Sequence, residues 1–555
     1  MTRHRQADAA ALLGFVLIAF LYFGIALLTG SERRYLGTAS DPQIFIWSFA
    51  WWPHAILNGI NPFVTHAIWA PSGLNLTWTT TVPGLALLLS PVTLLFGPLA
   101  SYDVAAVLMP ALAAWTGFLL CRRLTRMLWP SLAAGYLFGF SSYVLGQETS
   151  HLHMSSVFLV PLIALVIVRW WDGELDTRGL VVRLGPLLAL QLLFSTELSL
   201  TIALALGGAV VVAWLVDQAG RSRAVASIRP LAASYAFAGL LTAPFLYYLA
   251  AGLHTGSYTL PSSFVGDLVN FVVPTQVQLI SRLTHATSLS NRFPGNYSEN
   301  GSFLGPTLLI VAWFARDSWR TVKGRFLLVS IGITALATLG EKLTVLGHGV
   351  IPLPWDLVAH LPFFDNILTD RLSLFTSLAA AVIVAFWAAA RTDRWRWILP
   401  LVAIAAILPD PWVGLWSTDY AAPAFFTQAA YRGCLGQNEN VLPVPEGISS
   451  RANLWQAEDA FRFRIAGGRV ATTPPTEFMH PTPIEQISTG QPVTLADIGT
   501  IHAFIQAKDV TSVVVDPALA PDWVPVMDRI AIGHSVGGVR VYYFAGSSPH
   551  GCPAS

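Results

Sequence analysis

Apolar residues come in long unbroken runs through the first three quarters of the chain and in short patches after that. The runs cover 9–28, 82–98, 103–121, 130–146, 154–171, 180–195, 197–216, 229–250, 303–316, 325–340, 372–390 and 396–409. Each is near or somewhat below the ~20 apolar residues a membrane-crossing helix needs. The connection 30–81 is long, polar and aromatic, and two further long connections cover 251–302 and 341–371. From about 410 the runs stop, and Pro, Asp, Gly and Gln rise. Asn440 to Pro445 reads as a short strand, and Leu454 to Phe463 and Leu495 to Ala507 have helical spacing. Val510 to Val515 is β-branched and buried in type, and Val536 to Phe544 reads as a final strand or hairpin led by Gly537-Gly538. The pattern predicts an all-α polytopic membrane domain over 1–409 and a small α/β domain over 410–555.

Composition agrees. The chain is 54% hydrophobic and 11% charged, against about 25% charged in soluble domains. A net charge of +1 offers no basic surface for nucleic acid. The bilayer is the expected surrounding, and the 20 Trp and 31 Phe suit interfacial belts and lipid-facing surfaces. No small-residue cleavage site follows the first run, so it reads as a span rather than a removed leader. Arg3 and Arg5 before it place the N-terminus in the cytoplasm.

Basic residues then orient the rest. Clusters occur at Arg122, Arg123 and Arg126, at Arg169, Arg178 and Arg183, and at Arg221, Arg223 and Arg229. Two more follow, at Arg316, Arg320, Lys323 and Arg325, and at Arg391, Arg394 and Arg396. With all five on the cytoplasmic side, 30–81, 251–302, 341–371 and everything after 410 face outward. Counting leaves one crossing over: either a segment within 82–121 is re-entrant, or 44–60 also enters the membrane. Eleven or thirteen crossings satisfy the charges. An outward domain also lets Cys434 and Cys552 pair as a disulfide, while Cys121 reads as a small buried apolar residue.

Titratable residues collect in the outward loops. Asp41 has two readings. It or Ser40 can cap a helix with Pro42 at its first position, or it can serve as a general base or metal ligand at the membrane surface. Glu197 lies at a corner between two apolar runs, where a carboxylate is costly unless it faces a polar cavity. Glu148, His151 and His153 form a polar knot between two runs. The two His are two positions apart, which on a helix puts them on different faces, so pyrophosphate or sugar contact is favoured over a metal. Glu299 precedes a run and reads as a loop tip or a substrate contact. Asp370-Arg371 ends an outward loop, and an Arg there can grip a phosphate with its planar fork.

These features together resemble the GT-C superfamily of integral-membrane glycosyltransferases, which use polyprenyl-phosphate-linked sugars. The resemblance rests on one span, a long outer loop with an early acid, many further spans and an outer C-terminal domain. It is reinforced by Asp41-Pro42-Gln43 with Trp47, by Gly146 to His151-Leu152, by Asp370-Arg371-Leu372, and by Gly537 to Tyr542. The resemblance implies a GT-C-like membrane domain of about 11–13 helices in a bacterial inner membrane, with the C-terminal domain extracytoplasmic. It implies an inverting glycosyltransferase moving a hexosyl or pentosyl group to a cell-envelope glycan, lipid or protein acceptor. Asp41 maps to the expected catalytic residue, which deprotonates the acceptor or helps hold a metal. Arg371 is the expected phosphate contact, and Glu197, His151, Glu148, His153, Glu299 and Asp370 are expected to bind substrate. Some members carry an Asp-x-Asp metal pair. Gln43 stands at the second place here, which favours a metal-independent mechanism over a bound Mg²⁺ or Mn²⁺. The alternative class is a transporter or lipid-linked-glycan flippase without covalent chemistry, for which polar groups at mid-membrane and internal repeats are expected.

Overall fold

The computed structural model describes residues 2–29, 33–38, 41–252, 263–420, 422–447, 450–470, 475, 478, 492–544 and 552. Ser40 and the 253–262 part of the 251–302 loop lie outside these. Among the described residues, seven helices are long and apolar enough to cross a membrane: Arg5–Tyr22, Pro98–Thr125, Leu152–Trp171, Thr177–Phe194, Thr196–Val216, Arg221–Leu241 and Thr369–Ala390. The other five predicted runs fold as shorter or broken helices: Pro83–Leu88 with Ser90–Phe96, Leu128–Gly139, Thr307–Ser318, Val322–Thr338 and Trp395–Ala406.

Contacts among the basic turns define one end of the bundle. Arg122 pairs with Asp8 of the first helix, and Arg123 reaches Asp172 at 2.7 Å and Glu174. Arg223 donates to the Trp171 carbonyl, and Arg325 donates to the Val216 carbonyl at 2.9 Å. Arg391 lies 3.5 Å from Asp317. All five clusters are thus tied together at one end. The opposite, polar end is tied by different contacts: the Leu36 amide donates to Asp103 at 2.9 Å, the Gln147 amide to the Ser298 carbonyl, and the Leu279 amide to the Leu408 carbonyl.

Among the described residues, the seven long helices and the shorter Leu128–Gly139, Thr307–Ser318, Val322–Thr338 and Trp395–Ala406 lie between these ends. The run 82–98 does not pass. The Thr81 carbonyl beside it accepts from Ser48 and Trp52 at the polar end. Thr93 meets Ser101 at 2.7 Å, where the next helix sets out from the same end. This accounts for the crossing the sequence left over.

Connection 30–81 is not an open loop. Its helix Asp41–Leu57 is buried from Pro42 through Pro53, as expected of a helix apolar on every side. It lies between the bundle and the C-terminal domain rather than entering the membrane: Trp52 donates to Thr81 on one side, and the Trp47 indole donates to Gln456 at 2.7 Å on the other. Connection 341–371 holds an antiparallel hairpin, Lys342–Val345 with His348–Pro352.

The C-terminal domain carries a five-stranded sheet. Its order is Gly533–Val536, Val539–Tyr543, Ser512–Val515, Asn440–Val444 and Arg464–Ile465. The first three strands are antiparallel neighbours, and the last three run parallel. Phe426 stacks on Trp455 with ring centroids 4.4 Å apart in its core. Cys434 is disulfide-bonded to Cys552. Two seams join the domain to the first connection. Arg34–Leu36 pairs antiparallel with Ser417–Asp419. Ala67, Trp69 and Ala70 exchange main-chain hydrogen bonds with Ile465 and Gly467, at the carboxyl end of the last strand.

Candidate active site at the polar end

Asp41 is the first residue of its helix, where a carboxylate is favoured by the helix dipole. The fold presses it between a guanidinium and an imidazole from different parts of the chain. Arg469, four residues beyond the last parallel strand, donates to Asp41 Oδ1 at 2.8 Å. His151 Nε2 lies 3.3 Å from Asp41 Oδ2. Burial opposes ionisation of Asp41, but the His151 hydrogen bond and the charges of His151, Arg469 and His153 outweigh it. They hold the carboxyl below the usual carboxylate range.

His151 is aimed by Gln147. The Gln147 amide nitrogen donates to the Ser298 carbonyl and to Glu299 Oε2, both at 3.0 Å. Its oxygen therefore turns to His151 Nδ1, 3.0 Å away, and accepts from it. Glu299 Oε1 stands 3.5 Å from the same nitrogen.

Glu299 is the centre of the second knot. Arg371 grips it with two parallel bonds, Nε to Oε2 at 2.9 Å and Nη2 to Oε1. Its remaining arm, Nη1, reaches Glu197 Oε2 at 2.5 Å. Burial again opposes charge on Glu299, and Arg371 and His151 overcome it, holding the acid well below its usual range. Ser195 caps the helix Thr196–Val216 by accepting from the Leu198 amide, which places Glu197 in the first turn. Asp41, His151, Glu299, Arg371 and Glu197 thus form one continuous chain of charge across the polar end.

The other predicted residues stand differently. His153 packs its ring 6.1 Å from His151. With Glu197 it lines a cavity of about 70 Å³ under Thr79 and Thr80. Among the described residues, neither His153 Nδ1 nor Glu197 Oε1, both buried there, has a hydrogen-bond partner. Asp370 is fully buried beside Arg371. Glu148 is turned away toward Ser155, and burial pushes its acid up to about 8 against that hydrogen bond. Glu299 is no loop tip: it is 2% exposed. Arg371, expected to meet a phosphate, is saturated by two carboxylates and 8% exposed. Among the described residues, no group of three His, Cys, Asp or Glu side chains is placed to hold a metal ion. Both oxygens of Asp41 face cationic or imidazole donors, a set that does not suit a divalent cation.

Sequence reasoning missed two residues. Gln147 sits inside the Gly146–His153 knot, and its neighbours drew the attention. Arg469 is signalled only by Gly467-Gly468 before it, at φ +153° and +119°, backbone that favours glycine. A Cβ on Gly468 would stand 3.0 Å from Ile68, so this turn lets the domain lie close against the first connection.

No family model and no curated protein matches the sequence. Solved structures share its fold. The oligosaccharyltransferase AglB from Archaeoglobus fulgidus, in complex with an inhibitory peptide and a dolichol-phosphate, superposes with a TM-score of 0.52 at 13% identity over 97% of this chain and 74% of that one. ArnT from Cupriavidus metallidurans, bound to undecaprenyl phosphate, gives 0.50 at 12% identity over 96% and 98%. The mycobacterial arabinofuranosyltransferase AftD gives 0.52 at 15% identity over 97% of this chain and 41% of that one. All three are GT-C superfamily membrane glycosyltransferases, and the architecture seen here is theirs.

Proposed function

We propose that this polytopic chain is a glycosyltransferase that moves a sugar from a polyprenyl-phosphate-linked donor to a cell-envelope glycan, lipid or protein. The observation that carries the reading is the placement of Asp41: an acid at a helix start, held by His151 and Arg469 where membrane bundle and soluble domain meet. The shared fold supports it. The gathering of charge at one end favours it over the transporter reading, for which polar groups at mid-membrane are expected.

In the reaction, the acceptor hydroxyl oxygen attacks the anomeric carbon from the side opposite the phosphate. The carbon–oxygen bond to the phosphate breaks, polyprenyl phosphate leaves with the electron pair, and Asp41 takes the hydroxyl proton. Configuration at the anomeric carbon inverts. Glu197 and His153 offer their unpartnered atoms to sugar hydroxyls in the small cavity between them. The basic end faces the cytoplasm with the N-terminus, and the C-terminal domain lies outside the inner membrane.

The test is sugar transfer by the purified chain from synthetic polyprenyl-phosphate sugars to envelope glycans, with Asp41→Asn beside it. The expected outcome is transfer by the wild type and a loss of roughly a hundredfold or more in Asp41→Asn. Lipid or glycan flux through vesicles without a covalent product overturns the reading in favour of a carrier.

A further inference from the structure

Another cavity opens where the 251–302 connection folds back over two helices of the bundle, and it shares no residue with the site around Asp41. It holds about 630 Å³, within the ~300–1,000 Å³ of ligand pockets. One wall is Leu309 of Thr307–Ser318 and Val402 of Trp395–Ala406. Leu309 is 62% and Val402 45% exposed, so this wall continues the apolar surface that Ile398 and Leu401 turn toward the bilayer. The facing wall is Val272, Ile280, Leu289 and Phe303, and main-chain bonds tie it down. The Leu279 amide donates to the Leu408 carbonyl at 2.8 Å, and the Asp410 amide to the Val277 carbonyl at 2.9 Å. The Leu304 and Gly305 amides both donate to the Phe271 carbonyl. The cavity is thus built into the fold. Charge around it has one sign. Among the described residues of 263–305 the acids are Asp267 and Glu299, each at most 2% exposed. Asp267 accepts from the Val269 and Gly347 amides, and Glu299 is held by Arg371. The bases of the same stretch, Arg282, His285 and Arg292, are all exposed. His285 lines the cavity and caps the helix Leu279–Thr284 in the left-handed region, at φ +56°. Arg282 meets Asp410 through Nε at 3.1 Å and still leaves 55% of its side chain exposed. Arg292 follows one turn after Leu289, its amide donating to the Leu289 carbonyl.

We infer that this cavity takes an acyl chain of an anionic phospholipid from the leaflet at the polar end, with the headgroup against Arg282, His285 and Arg292. The inference goes beyond the transfer reading and does not depend on it. An apolar interior disfavours sugars and peptide main chains, whose polar groups would lose their hydrogen bonds there. A wall shared with the lipid-facing helices selects a chain already in the bilayer. A basic rim with no exposed acid on its own stretch selects a negative headgroup. The occupant also has a mechanical route to the first site. Phe303 lies a short stretch beyond Glu299, and the Ser302 amide between them donates to Asn270 Oδ1 at 2.9 Å. A filled cavity therefore braces the strip of chain that carries Glu299 to Arg371.

The experiment uses the full chain in phosphatidylcholine nanodiscs with a trace of phosphatidylglycerol that carries a diazirine in its acyl chain. The labelled peptides are mapped after illumination. The expected result is label concentrated in 272–289 and 303–309, with unlabelled phosphatidylglycerol competing roughly fivefold or more better than phosphatidylcholine. L309W fills the cavity from its lipid-facing wall and should lose most of this label. V402W fills it from the other helix and gives the same readout should L309W fail to fold. R292Q should keep the label and bring the competition by phosphatidylglycerol down toward that of phosphatidylcholine. Label spread evenly over the lipid-facing helices, or unchanged in both filled variants, overturns the site. Equal competition by the two phospholipids, or an unchanged preference in R292Q, overturns the anionic headgroup. Undecaprenyl phosphate displacing the label at equal concentration overturns the phospholipid in favour of an isoprenoid carrier. Each of these outcomes leaves the reading from Asp41→Asn as it stands.

Discussion

At the scale of residues, the buried charges decide how the molecule responds to substitution and pH. Glu299 and Arg371 satisfy each other in the interior. Removing the Glu299 charge leaves Arg371 with Glu197 as its remaining ion-pair partner, so Glu299→Gln should cost about 1–3 kcal/mol, read as a lower melting temperature. Asp41 and Glu299 have acids held below their unfolded values, so their contribution is present above about pH 4 and is lost as pH falls through their folded values. Glu446 has the opposite sign. It is 1% exposed, one oxygen has no hydrogen-bond partner among the described residues, and burial raises its acid to about 7 against hydrogen bonds from Gly468 and Gly447. Its stabilising contribution is complete below about pH 4.3, its unfolded value, and fades as pH rises through about 7. Melting temperature should therefore fall between pH 5 and pH 8, and Glu446→Gln should flatten that slope. An unchanged slope in the variant assigns the pH dependence elsewhere.

At the scale of elements, close backbone approach does what side-chain hydrophobicity cannot do inside a bilayer. Helices Pro98–Thr125 and Leu128–Gly139 pack through Gly135 and Gly139. A Cβ on Gly139 would stand 2.2 Å from the Ala114 amide nitrogen. Small residues let membrane helices touch along their backbones. Gly139→Leu should force them apart and cost on the order of 1–3 kcal/mol or more, measured as a lower melting temperature in detergent. A variant with wild-type melting shows that the two helices separate freely. The helix Asp41–Leu57 read from sequence as a capped start with Pro42. Its burial on all sides follows from Phe45, Trp47, Phe49, Trp51 and Trp52. Which partners cover those faces was not legible, because an all-round apolar pattern marks burial without pointing to a neighbour.

At the scale of the whole molecule, topology and docking are the testable features. Cysteine introduced at Arg394 and at Asp356 should react with an impermeant maleimide from opposite sides of intact vesicles, Asp356→Cys from outside the cell. Labelling of both from one side overturns the two-faced arrangement. The Cys434–Cys552 bond closes a separation of 118 residues, and such long closures are worth about 2–5 kcal/mol. Cys434→Ser should therefore lower the melting temperature of the C-terminal domain, and an unchanged one shows that its core holds it unaided.

The sequence alone determined the helical membrane class, the small C-terminal sheet region and the gathering of the basic turns at one end of the bundle. Apolar runs and charge clusters are local properties, and the bilayer reads them locally. Strands at Asn440–Val444 and Ser512–Val515 and the helix Ile498–Ala507 were legible for the same reason: periodicity lies within a few residues. Only the tertiary structure decided what the charges do. Asp41 and Arg469 are 428 positions apart, and Arg371 and Glu299 are 72 apart. Whether an arginine becomes a buried strut or part of the seam beside Asp41 depends on which carboxylates the fold lays beside it. No spacing along the chain encodes that choice, because it is made by the docking of the C-terminal sheet on the first connection and by the crossing of helices from distant parts of the sequence.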